Sequence, residues 1–141
     1  MTELRPQRPG TPSPVPSLFS AAYWDGCAQG ELRYLRCTQC GVPIADAARI
    51  CWRCHSRELR WEVSAGRGTL YSWTIVWRPQ TPEFEVPYAV AIVNLEEGFS
   101  VVSAVIGCLP DELTENMGLS VEFHPSGDDT MLPYFRPIMP A

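Results

Sequence analysis

The chain has 141 residues, a formal net charge of −5 and 45% apolar residues. That is enough to bury a core, but the cysteine-rich stretch and the termini leave room for only one small barrel or sandwich. The acidic balance argues against general affinity for polyanions. No stretch approaches the roughly eighteen apolar residues of a membrane span, so a soluble, cytoplasmic protein is expected.

Residues 1–17 hold Pro6, Pro9, Pro12, Pro14 and Pro16 and little that could pack. They read as a flexible leader or a linker remnant. From Ser17 to Leu32, the apolar residues Leu18, Phe19, Ala22, Tyr23 and Cys27 recur at helical spacing, with Ser17 or Ser20 placed to cap the start. Burial in the protein's own core is the expected use of Phe19, Tyr23 and Trp24.

Next come Cys37-Thr-Gln-Cys40 and Cys51-Trp-Arg-Cys54, two pairs separated by ten residues. Each pair fits a tight turn, so four thiolates converge as zinc requires in a closed structural site. Disulfides would need an oxidising compartment. Cys51-Trp-Arg-Cys54-His55 also fits a haem attachment pattern, but that reading leaves the first pair without a role and needs an axial partner. A four-sulfur zinc has no open position to activate water, so it implies folding and docking. Cys27 and Cys108 lack metal spacing and read as buried free thiols.

Seven of the eleven basic residues, Arg33, Arg36, Arg49, Arg53, Arg57, Arg60 and Arg67, lie in this region against Asp46, Glu58 and Glu62, and the chain has no lysine. Guanidinium groups suit planar, bidentate contact with anions. After the breaker Gly66-Arg67-Gly68, strands are predicted over residues 69–77, 88–95, 100–106, 120–124 and 132–136. Glu96-Glu97-Gly98 reads as a solvated hairpin turn. Asp111-Glu112 starts a turn of helix ending near Gly118. Five short strands with one longer excursion before the fourth suit an OB-type barrel. The predicted fold is mainly β, with a leader over 1–17, a helix and rubredoxin-like zinc ribbon over 18–64, and a five-stranded OB barrel over 65–138.

Tyr23-Trp24-Asp25-Gly26, the two cysteine pairs, Gly66-Arg67-Gly68-Thr69-Leu70-Tyr71-Ser72-Trp73-Thr74, Pro87-Tyr88 and Leu132-Pro133-Tyr134-Phe135 occur in that order. Together they resemble the family of zinc-ribbon and OB-fold acyl-CoA-associated proteins, over about residues 18–138. The resemblance implies a non-catalytic accessory subunit in a hetero-oligomer. Its partner would be a thiolase-fold aldolase or lyase, acting for instance on sterol side chains, or a hot-dog hydratase. It implies structural zinc on Cys37, Cys40, Cys51 and Cys54 and acyl-CoA as ligand, with Arg33, Arg36, Arg49, Arg53 and Arg67 offered to the CoA phosphates. Tyr71, Trp73, Trp77 and Tyr88 could stack on adenine or line an acyl path, although filling the barrel is their expected use. One departure is His55, where such ribbons carry glycine after the second knuckle; histidine tolerates positive φ.

No catalytic constellation is legible. His124 reads as a surface histidine, and the carboxylates are scattered. The alternative reading is a single-stranded nucleic-acid module, since OB barrels and zinc ribbons both serve that purpose. Against it stand the acidic total and a barrel segment holding only Arg78 and Arg136 as cations after Gly68.

Overall fold

A computed structural model describes residues 2–45, 47–127 and 129–139. Asp46 and Asp128 lie outside the described residues. One helix, α1 (Ala21–Ala28), precedes eight strands: β1 (Arg33–Cys37), β2 (Pro43–Ile44), β3 (Leu59–Val63), β4 (Arg67–Val76), β5 (Tyr88–Leu95), β6 (Ser100–Val105), β7 (Gly118–Ser126) and β8 (Thr130–Pro137). A 3-10 turn, Pro110–Glu112, lies between β6 and β7. The first three strands form a small sheet in the order β2-β1-β3, and the last five close a barrel in the order β4-β5-β6-β8-β7. This is the mainly β, OB-fold architecture expected from the sequence.

The barrel closes through a single parallel pair, Val105 with Phe135, between β6 and β8, and through antiparallel pairing of 67–69 with 118–120. Strand β4 starts where it does because Gly68 lies against the Asn94 backbone, and a Cβ there would meet the Asn94 carbonyl oxygen. A bulge after Leu70 then turns Tyr71 outward, leaving it 59% exposed. Trp77 sits past the end of β4 and is 58% exposed. Filling the barrel is therefore not the use of these two rings, whereas Trp73 packs against the core.

Strand β1 joins the two sheets. Successive side chains of a strand point to opposite faces. Leu35 and Cys37 accordingly enter the ribbon's core with Val42, Ile44 and Cys51, while Tyr34 enters the barrel's core. The Tyr34 ring stacks on Phe99 of the β5–β6 turn at 4.5 Å between centroids, a pair geometry that adds about 0.5–1.5 kcal/mol beyond area burial. The linker after β3 is fixed by Glu97. Ser64 Oγ donates to its carboxylate at 2.7 Å and the Ala65 amide at 2.8 Å. Glu97 is thus a buttress rather than a solvated hairpin tip, because the turn folds back over residues 64–66.

Two other expectations are corrected. The helix runs over Ala21–Ala28, not 17–32: residues 17–20 form a turn in which the Ser17 amide donates to Ser20 Oγ and the Ser20 amide to Ser17 Oγ. Gly30, at φ 78°, lies just past the helix end. Leu18 and Phe19 are consequently exposed, while Tyr23 packs on the barrel core. The leader is not free either. Leu4 is 1% exposed within the barrel core. Its amide donates to the Cys108 carbonyl, and its carbonyl accepts from the Gly107 amide, both at 2.8 Å. The Gly127 amide donates to the Pro9 carbonyl, and the Ser13 and Ser126 hydroxyls meet at 3.2 Å. Prolines leave the carbonyls free to accept, so a proline-rich strand can still be strapped down.

Replacing Leu4 with alanine should cost about 2–4 kcal/mol in denaturant unfolding, as for a fully buried leucine. Val15→Ala, at a side chain 88% exposed, should stay within about 0.5 kcal/mol. Equal stability of the two variants would contradict the strap.

Candidate functional site

The sulfur atoms of Cys37, Cys40, Cys51 and Cys54 all lie within 4.8 Å of one another. Two knuckles bring them together. In the first, the Gly41 amide donates to the Cys37 carbonyl and Gly41 adopts φ 81°; in the second, the His55 amide donates to the Cys51 carbonyl and His55 adopts φ 65°. Histidine thus takes the left-handed position that glycine fills in the first knuckle, and His55 is not among the clustered ligand residues. Thr38 secures the first knuckle by donating its amide and hydroxyl to the Glu58 carbonyl.

The Cys37 and Cys54 sulfurs lie 3.5 Å apart and those of Cys40 and Cys51 3.6 Å apart. Each separation runs between knuckles, and all four cysteines are free thiols. A tetrahedron with metal–sulfur bonds of 2.3 Å has edges of about 3.8 Å, so the cluster suits a structural metal such as zinc. The backbone is prepared for thiolates. Amides of Cys40 and Gln39 face the Cys37 sulfur and hold its thiol down to about 6 against the opposing effect of burial. At Cys51 burial raises the thiol, but the amides of Cys54 and Arg53 together with the Cys40 and Cys54 sulfurs lower it on balance. Cys54 goes the other way: the Ser56 amide favours its thiolate, but burial and the three neighbouring sulfurs push it up to about 12. Four thiolates at this spacing require a cation among them. A metal held by all four sulfurs supplies cross-linking and charge neutralisation, with no position left for substrate.

The five arginines singled out from the sequence do not converge. Arg33 packs across Gly26 and pairs with Glu31 at 3.2 Å while donating to the Ala22 carbonyl at 3.0 Å. Arg36 donates to Glu62 at 2.7 Å, to the Gly41 carbonyl at 2.7 Å and to the Tyr34 hydroxyl at 2.8 Å. Arg67 pairs with Glu96 at 3.3 Å. These three are engaged within the fold. Arg53 is exposed on the second knuckle, and Arg49 lies over the Phe19 ring at 4.7 Å. Arg49 and Arg57 together line a cleft of about 730 Å3 whose apolar floor includes Leu35, Leu59 and Trp61.

Glu62 is the hub of the small sheet. Arg36 and Arg60 flank it, and these guanidiniums hold its carboxyl down to about 2. Glu122 is likewise lowered by Arg136, and its Oε1 lies 3.1 Å from His124 Nε2 on the same strand; His124 is partly exposed, in keeping with the surface histidine expected. Burial pushes Cys27 up to about 11 and raises Tyr23, which leaves that pair unsuited to acid–base work at neutral pH. The sequence showed Glu62 only as one of three acids in the arginine-rich stretch; its role as a hub comes from the β1–β3 register, which sets it across from Tyr34.

A second concavity, of about 300 Å3, opens on the outer face of β5 and β6, between α1 and the turn over 77–87.

The family model described as "ChsH2, C-terminal OB-fold domain" matches residues 61–124. A "DUF35 domain-containing scaffold protein" of Methanocaldococcus jannaschii is 30% identical over 74% of this chain and 79% of its own length. The "Probable enoyl-CoA hydratase alpha subunit" of Thermomonospora curvata is 30% identical over 99% of this chain. The "3-oxo-4,17-pregnadiene-20-carboxyl-CoA hydratase alpha subunit" of Mycobacterium tuberculosis is 31% identical over 74% of it. The chain spans 44% and 33% of the lengths of those two hydratase subunits. Among solved structures, a chain of "Ltp2-ChsH2(DUF35) aldolase" superposes with a TM-score of 0.82 at 30% identity, covering 89% of this chain and 98% of that one.

Cys40→Ser and Cys51→Ser should each lower bound metal from about one equivalent per chain to near zero, measured by atomic emission, because a three-sulfur remnant does not close the ribbon. Glu62 titrates in the fold near 2 rather than near 4.5. Its stabilisation is therefore complete above about 4.5 and is lost as pH falls from there through about 2. The stability gap between the native protein and Glu62→Gln should narrow over that window; a gap independent of pH would contradict the pairing with Arg36 and Arg60.

Proposed function

The chain belongs to the DUF35 family, and from that premise we propose that it is a non-catalytic accessory subunit of an acyl-CoA enzyme. The partner we favour is a thiolase-fold aldolase or lyase, with a hot-dog hydratase as the related possibility, and the ring system of a steroid side-chain substrate as the acyl class. The observation that carries this reading is the agreement in fold and sequence with nearly the whole DUF35 chain of an aldolase assembly. The hydratase alpha subunits support it from a second direction, since each contains a segment like this chain within a longer protein.

The metal in this reading is zinc on Cys37, Cys40, Cys51 and Cys54, and it holds the ribbon rigid for docking. Aromatic and arginine side chains dominate interface hot spots, and Trp52 and Trp77 present their rings to solvent. For the CoA phosphates, the arginines open to an incoming anion are Arg49 and Arg53, with Arg57 beside Arg49 in the same cleft. Arg33, Arg36 and Arg67 act instead through the fold, with their charge already met by Glu31, Glu62 and Glu96.

Affinity purification of the full chain from its own cells at low salt should recover a thiolase-fold or hydratase subunit in near-equal amount. Recovery of nucleic acid and its usual proteins would overturn the reading. For the ligand, the double variant Arg49→Glu/Arg57→Glu should weaken coenzyme A binding by about tenfold or more in calorimetry, as charge-assisted contacts of this kind predict, with the circular dichroism unchanged. Unaltered affinity would remove these two side chains from the phosphate site.

A further inference from the structure

In β5 the buried positions are Ala89, Ala91, Val93 and Leu95, so Tyr88, Val90 and Ile92 point away from the barrel interior. On β6, Ala104 lies opposite Val90 and Val102 lies opposite Ile92. A solvent-facing strand surface normally carries polar residues at these positions. Here both strands are apolar outward, and Val102 is left 73% exposed. Strands β5 and β6 are the second and third of the barrel, and with the loop between the first and second they form the face on which OB folds hold ligands.

The face is also concave. Tyr23 and Trp24 of α1, edge to face at 4.9 Å, form one wall. Phe84 and Tyr88, with centroids 6.2 Å apart, form another. Leu132 and Pro133 of β8 line the remaining side of this open concavity, whose volume is about 300 Å3. Arg5, at the rim, is the one charged side chain among the lining residues. The rim itself is tied. The Gln7 side chain donates to the Glu85 carbonyl at 3.0 Å and accepts from the Glu85 amide at 2.8 Å, while the Gln7 amide donates to the Tyr134 hydroxyl at 3.1 Å. The strap residue Gln7 therefore clasps the 77–87 turn to β8, which gives the leader a purpose beyond burying Leu4.

We propose that this slot binds a rigid, uncharged, ring-containing apolar body, such as the polycyclic part of an acyl group. Aromatic walls and a β-branched floor offer dispersion contact to flat ring faces, and the polar groups among them are already engaged, the Ser103 hydroxyl with the Pro133 carbonyl and the Tyr134 hydroxyl with the Gln7 amide. A rigid ring system loses little conformational freedom on entry, unlike an acyl chain. A phosphate chain finds too little positive charge. A polyproline segment also favours aromatic grooves, and its preference over a ring compound is read directly in the test below. The inference rests on the acyl-CoA reading only for the source of the ring body.

The test is calorimetry and methyl NMR on the full, zinc-loaded chain with progesterone as the probe. Saturable binding is expected, with the Val90, Val102 and Ala104 methyl resonances shifting. Val102→Arg places a charge on the exposed floor and should weaken binding by about tenfold or more. Gln7→Ala should weaken it less, with the ribbon resonances unmoved. A steroid carboxylic acid presented as its CoA thioester should bind tighter than progesterone if the thioester is the source; equal binding assigns the slot to the free ring compound. No saturable binding of either, binding indifferent to Val102→Arg, or preference for a proline-rich peptide would overturn the slot. Partner recovery and coenzyme A binding are read in separate experiments, so the slot can fail while the accessory function stands.

Discussion

Four sulfurs brought within 4.8 Å of one another are the constraint on which the rest of this molecule depends. Thiolates at that spacing repel one another, and the fold answers with amide dipoles that lower Cys37 and Cys51 while Cys54 is pushed up. The four sulfurs suit a structural metal such as zinc, which would complete what the backbone begins. Because Cys37 ends β1, the cluster also sets the position of a strand that reaches the other core: Leu35 and Cys37 face the ribbon, and Tyr34 stacks on Phe99 under the barrel's turn. The strand that ends in the cluster thus also packs on the β5–β6 hairpin, and Glu97 fastens the same hairpin to the linker.

The distribution of charge has a matching logic. Glu62 collects Arg36 and Arg60, Glu122 collects Arg136 and His124, and Glu96 pairs with Arg67. Titratable groups are thus tied into the framework, where they hold strands in register. What the surface offers is different in kind: an arginine cleft beside the ribbon, exposed tryptophans, and an apolar concavity on the outer face of the barrel. Such surfaces suit binding and positioning, the uses that the proposed accessory role would make of them.

Much of this was legible in the sequence. The five barrel strands follow from β-branched and aromatic runs bounded by Gly and Pro, and each predicted strand overlaps an observed one because those signals are local. The cysteine spacing implied the cluster for the same reason. What was hidden is nonlocal. Leu4 is one apolar residue among prolines, with no periodicity to mark it, and its burial depends on a cleft formed by Cys108 and the barrel. Arg33 and Arg36 looked available to a ligand because their partners, the Ala22 carbonyl and Glu62, come from other elements. The apolar outer face did leave a trace. Residues 88–93 are an unbroken apolar run, and a strand with only one buried face should alternate.

The measurement that bears most directly on this account is X-ray absorption at the zinc edge of the purified full chain. The account predicts about one zinc per chain with four sulfur neighbours near 2.3 Å. A shell containing nitrogen or oxygen, or no zinc absorption from the purified chain, would contradict it.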